Sequence, residues 1–208
     1  MKLVIFGATG GTGQQLVQQA LEQGHEVTAF MRHPEKFKMP PGRLSVVKGD
    51  ALNATAVENV VTDQDAVLVA LGTKPPSQKA VVGPGTKNIL VAMKKHSVHR
   101  VIVESAHFMD EAVIKNSFLT SLLIRTFLKG LYADKVVQES AVRASGLEWV
   151  IVRPAGLTNG HKTKIYRFGE NLQLKGVFPT ISRADVADFM LKQLNSESNL
   201  HKALLVAR

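Results

Sequence analysis

Cysteine is missing from all 208 residues, which excludes disulfide frameworks, thiolate-ligated metals and cysteine nucleophiles together. Among the remaining residues no metal site is expected. Aromatic residues are scarce at 6%, with one Trp and two Tyr. The interleaving of bases and rings used by nucleic-acid binders is therefore lacking, as are zinc-finger and helix-turn-helix patterns, and no nucleic-acid partner is expected. Long apolar runs are lacking too: the richest, Phe118 to Tyr132 (FLTSLLIRTFLKGLY), is broken by Arg125 and Lys129 and is too short to span a bilayer. No basic leader with a small-residue cleavage site precedes the first apolar run, so a cytoplasmic location is expected. Acidic residues are outnumbered, 17 against 26 basic, for a formal charge of +9. That balance favours an anionic ligand without choosing which one.

What the sequence does have is alternation. Short runs rich in β-branched residues are predicted as strands at Leu3 to Phe6, Glu26 to Met31, Leu44 to Val47, Ala66 to Leu71, Arg100 to Glu104, Glu148 to Val152 and Leu204 to Ala207. Helical patterns fall between them, at Thr12 to Gln23, Ala54 to Val61, Gly85 to His96, a long one ending near Ala144, and Arg183 to Leu194. Strand and helix in turn mean an α/β protein with a doubly wound parallel sheet, read here as one domain over 1–208. Gly24 and Gly146 stand where helix C-caps are expected. Two stretches fit the alternation poorly, near 107–131 and 158–180. They are the expected substrate lobe, because insertions at the carboxyl ends of strands build the pocket in such sheets.

Directly after the first strand comes GATGGTG. Gly7, Gly10 and Gly13, with Thr9, Gly11 and Thr12 between them, sit at a strand-to-helix turn of a βαβ unit. There Gly7 allows the tight turn, Gly10 lets backbone approach a diphosphate, and Gly13 lets helix pack on strand. The amides at the helix start face that negative charge. The second strand ends without the carboxylate that reads a ribose 2′-hydroxyl, and offers Arg32 instead, with Lys36 nearby. A guanidinium suits a 2′-phosphate, so NADPH (NADP) is the expected cofactor, the alternative being a solvated basic loop. Asp50 and Ala51 follow the third strand, and Leu71, Gly72 and Thr73 the fourth. Each reads either as a plain turn or as cofactor contact.

These motifs, together with Ser105 after the fifth strand, SGLEWVIVRPAGL at 145–157 and ISRADVADFML at 181–191, resemble the atypical, NmrA-like short-chain dehydrogenase/reductases with NAD(P)-binding Rossmann folds. Biliverdin and flavin reductases are members of that family. The resemblance implies that Ser105 lies beside the nicotinamide and that Pro154, in the loop from Arg153 to Leu157, passes its end. Arg183 and Asp185 are read as structural. The usual Tyr-x-x-x-Lys is altered: Lys135 stands in the lysine position, Leu131 in the tyrosine position, and Tyr132 one place out. Rotated by about 100° on a helix, Tyr132 reads as packing rather than as the proton donor. Ser105, His107 and Lys135 remain the candidate catalytic residues, Lys135 holding ribose hydroxyls or being solvated. Because hydride transfer to a conjugated acceptor needs no dedicated strong acid, the departure favours reduction of a planar acceptor (flavin, biliverdin or quinone) over alcohol dehydrogenation. Phe108 and Met109 would supply apolar wall. A dinucleotide-binding redox sensor without catalysis is the alternative. A monomer or weak homo-oligomer is expected.

Overall fold

A computed structural model describes residues 1–37, 42–73, 80–110, 128–173 and 179–208. Eight strands form one sheet: β1 (Lys2–Phe6), β2 (Glu26–Met31), β3 (Leu44–Lys48), β4 (Ala66–Val69), β5 (Arg100–Glu104), β6 (Glu148–Pro154), β8 (Arg167–Gly169) and β10 (Lys202–Ala207). Their spatial order is β3-β2-β1-β4-β5-β6-β10-β8, parallel except for β8, which runs antiparallel along β10 at the edge. Two three-residue strands, β7 (Gly156–Thr158) and β9 (Thr180–Ser182), make a separate parallel pair.

Alternate residues of β1 serve opposite faces, as a sheet covered on both sides requires. Leu3 and Ile5 enter the apolar layer shared with α1 (Gly11–Glu22) and α5 (Arg183–Lys192). Val4 and Phe6 enter the layer shared with α2 (Ala54–Val61), α3 (Val82–Lys95) and α4 (Lys129–Arg143). From β1 the chain winds outward one way through β2 and β3, then returns to β4 and winds the other way. The crevice where the winding reverses, at the carboxyl ends of β1 and β4, is where open α/β sheets bind ligands. No helix among the described residues is long and apolar enough to cross a membrane.

The predicted strands and helices are present, with shifted ends. Gly24 and Gly146 have φ of +81° and +70°, the left-handed backbone expected of residues just past a helix end. The largest shift is at α3, which begins at Val82 rather than Gly85. Pro84 is tolerated within a first turn, and the turn is capped from another helix. Asp134 on α4 accepts from the amides of Val81 (3.0 Å), Val82 (2.9 Å) and Gly83 (2.7 Å). Gly83 is there because a side chain would meet Val137 Cγ1 at 2.6 Å, so α3 and α4 approach closely at this point. The last helix ends at Lys192 in a 3₁₀ turn, Gln193–Asn195. The short strands β7, β8 and β9 carry no periodicity that three residues can show. Residues 111–127 and 174–178, and with them most of the apolar Phe118 to Tyr132 stretch and part of the expected substrate lobe, lie outside the described residues.

Asp134→Ala strands three amides at once, those of Val82 and Gly83 buried and that of Val81 partly so. It is expected to lower unfolding free energy by about 2–4 kcal/mol in urea titrations; a loss below about 0.5 kcal/mol would mean the cap is dispensable.

Candidate dinucleotide site

At the β1–α1 turn the glycines divide by what they meet. Gly7 has φ of +81°, and a Cβ there would overlap the Ala70 carbonyl of the β4 end. A Cβ at Gly13 would overlap the Gly7 carbonyl. Both are required by the fold itself. Gly10 differs: its backbone is ordinary (φ −71°, ψ 160°), a Cβ would stand 3.2 Å from the Gly7 carbonyl, and the residue is exposed. Its bare Cα leaves open surface in front of the helix. Three other helices are capped at their start, α2 by Asn53, α3 by Asp134 and α5 by Ser182. α1 has no side-chain cap and no acidic residue in its first turn. An uncapped, glycine-fronted helix start is the form that receives phosphate. The Thr12 side chain turns inward and donates to Glu104 Oε1 at 2.9 Å, and Gln14 Nε2 ties down the Thr9 carbonyl at 3.1 Å. What the loop offers a ligand is backbone.

Around that loop the adenosine side is polar and open. Arg32, just past β2, is exposed and makes no side-chain hydrogen bond among the described residues. Asp50 accepts from the Leu52 amide at 3.0 Å, the turn-capping alternative, which occupies one carboxylate oxygen. Ala51 is buried, and its carbonyl is bound by Asn88 Nδ2 at 2.9 Å. Gly72 is exposed, and among the described residues a Cβ there would meet nothing within 4 Å.

On the other side, past β5, lies a buried charged network. Lys135 is 5% exposed, which removes the solvated alternative. Its Nζ donates to the Glu104 carbonyl (2.7 Å), Gln138 Oε1 (3.0 Å) and the Leu71 carbonyl (3.4 Å). All three ammonium hydrogens are thus engaged, joining the ends of β4 and β5 to α4. Gln138 continues the chain to Thr86 on α3 at 3.2 Å. Burial lowers the Lys135 pKa to about 8, against the pull of Glu104, Glu139 and Asp134. Burial pushes the Glu104 carboxyl above its ordinary value, opposed by Lys135, the Thr12 bond and Arg183.

Ser105 is buried, and its Oγ donates to Glu139 Oε1 at 2.7 Å. Glu139 is held in a fork by Arg153, Nε at 3.0 Å and Nη2 at 2.7 Å, and Arg153 Nη1 reaches Asp110 at 3.1 Å. His107 begins a 3₁₀ turn, His107–Met109. Burial lowers its pKa below the usual imidazole range, against an interaction with the Pro154 backbone, so the neutral ring dominates near pH 7. Tyr132 is half-buried, and its hydroxyl makes no hydrogen bond among the described residues. Glu104, Asp134, Gln138 and Glu139 are the residues that sequence reasoning missed. Three of them lie on α4 close to the displaced tyrosine motif, and the available signal was polar residues repeating at helical spacing on a face that must be buried.

Gly13→Ala is expected to destabilise the fold by about 3 kcal/mol or more, as overpacking against backbone does, whereas Gly10→Ala leaves unfolding nearly unchanged and weakens dinucleotide binding. Equal effects of the two on stability would contradict this division. Between pH 8 and 10.5 the unfolded chain carries a proton on Lys135 that the fold has lost, so this residue's contribution to stability rises with pH across that window. The difference in unfolding free energy between the wild type and Lys135→Met, followed over that range, measures it; a flat difference would contradict the lowered pKa.

Residues 7–197 match a family profile described as NAD(P)H-binding. Over its full length the chain is 29% identical to an uncharacterized chloroplastic protein of Arabidopsis thaliana, 77% of which it covers. Among solved structures, a Rossmann-fold NAD(P)-binding protein of Shigella flexneri is similar with a TM-score of 0.74 at 25% identity, over 99% of this chain and 92% of that one. An anaerobilin reductase of Escherichia coli O157:H7 has the same fold, with a TM-score of 0.81 at 20% identity over 99% of this chain and 96% of that one. With the glycine turn, the uncapped helix and the reversal of winding in place, this chain belongs to the NAD(P)H-binding family and has a Rossmann fold.

Proposed function

We propose that this protein is an NADPH-dependent reductase acting on a conjugated planar acceptor, a flavin, a bilin or a quinone. The observation that carries the reading is the engagement of Lys135. With its three hydrogens spent on the strand ends and Gln138, and with Leu131 in place of the tyrosine, the described residues offer no strong proton donor of the alcohol-dehydrogenase type. Bound NADPH would supply hydride, and a delocalised acceptor anion can take its proton from water. Catalysis then rests on placement, for which the rigid floor joined by Lys135 is suited.

Arg32 supports NADPH over NADH, being a guanidinium without a partner among the described residues, at the strand end where such folds meet the adenosine ribose. Ser105, its hydrogen committed to Glu139, presents lone pairs to a water or to an N–H of the acceptor. His107, neutral near pH 7, can orient the same water. Phe108 and Met109, with the β7–β9 pair, form the described part of the acceptor lobe within a single domain. The fold shared with an anaerobilin reductase is compatible with a bilin among the acceptors.

The direct test is oxidation of NADPH and, in parallel, NADH by the purified protein against FMN, biliverdin and a soluble quinone. Turnover with at least one acceptor is expected; tight NADPH binding with no turnover would replace this reading by that of a redox sensor. Arg32→Ala should weaken NADPH by about tenfold and leave NADH unchanged in fluorescence titration, and equal losses for the two would contradict the assignment. Alanine at Ser105 and His107 together should lower kcat with little change in the Kd for NADPH; an unchanged kcat would remove both from the chemistry.

A further inference from the structure

Arg183 opens α5, yet its side chain reaches across to the glycine turn. A Cβ placed on Gly11 would stand 2.7 Å from Arg183 Nε. Gly11 is the first residue of α1 and has no positive φ, so its backbone conformation does not call for glycine. The missing side chain instead gives the Arg183 stem room to lie on the loop. Among the described residues only Nη1 of the guanidinium is engaged, with Asn159 Oδ1 at 2.7 Å and weakly with the Leu157 carbonyl at 3.5 Å. Nε and Nη2 donate to nothing among the described residues. Glu104 is close enough to feel the charge but makes no hydrogen bond with it, its Oε1 being held by Thr12.

A cation laid against the positive end of a helix dipole is unfavourable unless an anion joins them. Here the helix start is also uncapped and without acidic residues, and the guanidinium brings two unused donors in a planar fork. We propose that Arg183 is a diphosphate-binding residue of the dinucleotide site, closing over the anion from the side opposite the α1 amides. Asn159 holds it in position, linking the β7–β9 pair to the cofactor loop. The inference rests on the dinucleotide site and adds a residue that composition and motif had marked as structural.

The test separates the two arginines by ligand, using equilibrium binding of NADP⁺, NAD⁺ and adenosine 2′-monophosphate, which lacks a diphosphate. Arg183→Ala is expected to weaken NADP⁺ and NAD⁺ by the same factor, about tenfold, and to leave adenosine 2′-monophosphate unchanged. Arg183→Lys, keeping charge without the fork, should fall between. Asn159→Ala, which keeps the guanidinium but removes its anchor, should weaken both dinucleotides by less than Arg183→Ala does. Dinucleotide affinities unchanged in Arg183→Ala would overturn the proposal, as would an equal loss for adenosine 2′-monophosphate, which would indicate general damage. Equal binding of NADP⁺ and NAD⁺ by the unaltered protein would count against the NADPH preference alone, and the Arg183 comparison would still be read from the dinucleotide losses.

Discussion

The β1–α1 turn packs so tightly against the end of β4 that only bare Cα atoms fit between them. A side chain at Gly7 would enter the Ala70 carbonyl, and one at Gly13 would enter the carbonyl of Gly7. This contact brings the start of α1 down onto the sheet at the point where the winding reverses, with its first amides turned outward. The charge preference of the site, its position and its openness all follow from that approach. So does the division of labour among the glycines, two serving the fold and the third leaving surface free for a ligand.

A second constraint lies beneath the first. Charged groups are seldom buried without partners, and this protein buries two connected sets of them at the ends of β4, β5 and β6. In one, Lys135, Glu104, Gln138, Thr12 and Thr86 join the strand ends to α1, α3 and α4. In the other, Ser105, Glu139, Arg153 and Asp110 join β5, β6, α4 and the turn after β5. Such networks resist rearrangement because removing one member leaves its partner buried and unpaired. In the proposed reductase they would keep this side of the crevice rigid, which suits a reaction governed by the placement of two rings.

Most of the architecture was legible because parallel strands buried on both faces read as continuous apolar runs, and helix ends declare themselves through local chemistry. Gly24 and Gly146 mark helix ends by backbone conformation, and Ser182 caps α5 through Asp185 at 3.0 Å. The glycine turn was legible for the same reason, since its requirements fall within seven residues. What the sequence could not display is partnership at a distance. Asp134 caps a helix that starts 52 residues before it, and that cap is why α3 begins earlier than its periodicity suggests. Lys135 stands in the position of a catalytic lysine, yet its amino group turns to the strand ends, a direction set by packing rather than spacing. Arg183 reads as an ordinary first-turn residue until Gly11 is seen beneath it. Strands of three residues, β7, β8 and β9, are too short for any period to show.

In the proposed reading the crevice between β1 and β4 holds a phosphorylated dinucleotide, with its diphosphate over the uncapped start of α1. A crystal structure of the protein with NADP⁺ tests it most directly. The diphosphate is expected within hydrogen-bond distance of the first-turn amides of α1, the 2′-phosphate at Arg32, and the nicotinamide at the end of β5 beside Ser105. A dinucleotide bound elsewhere, or one whose diphosphate contacts none of these amides, would contradict it.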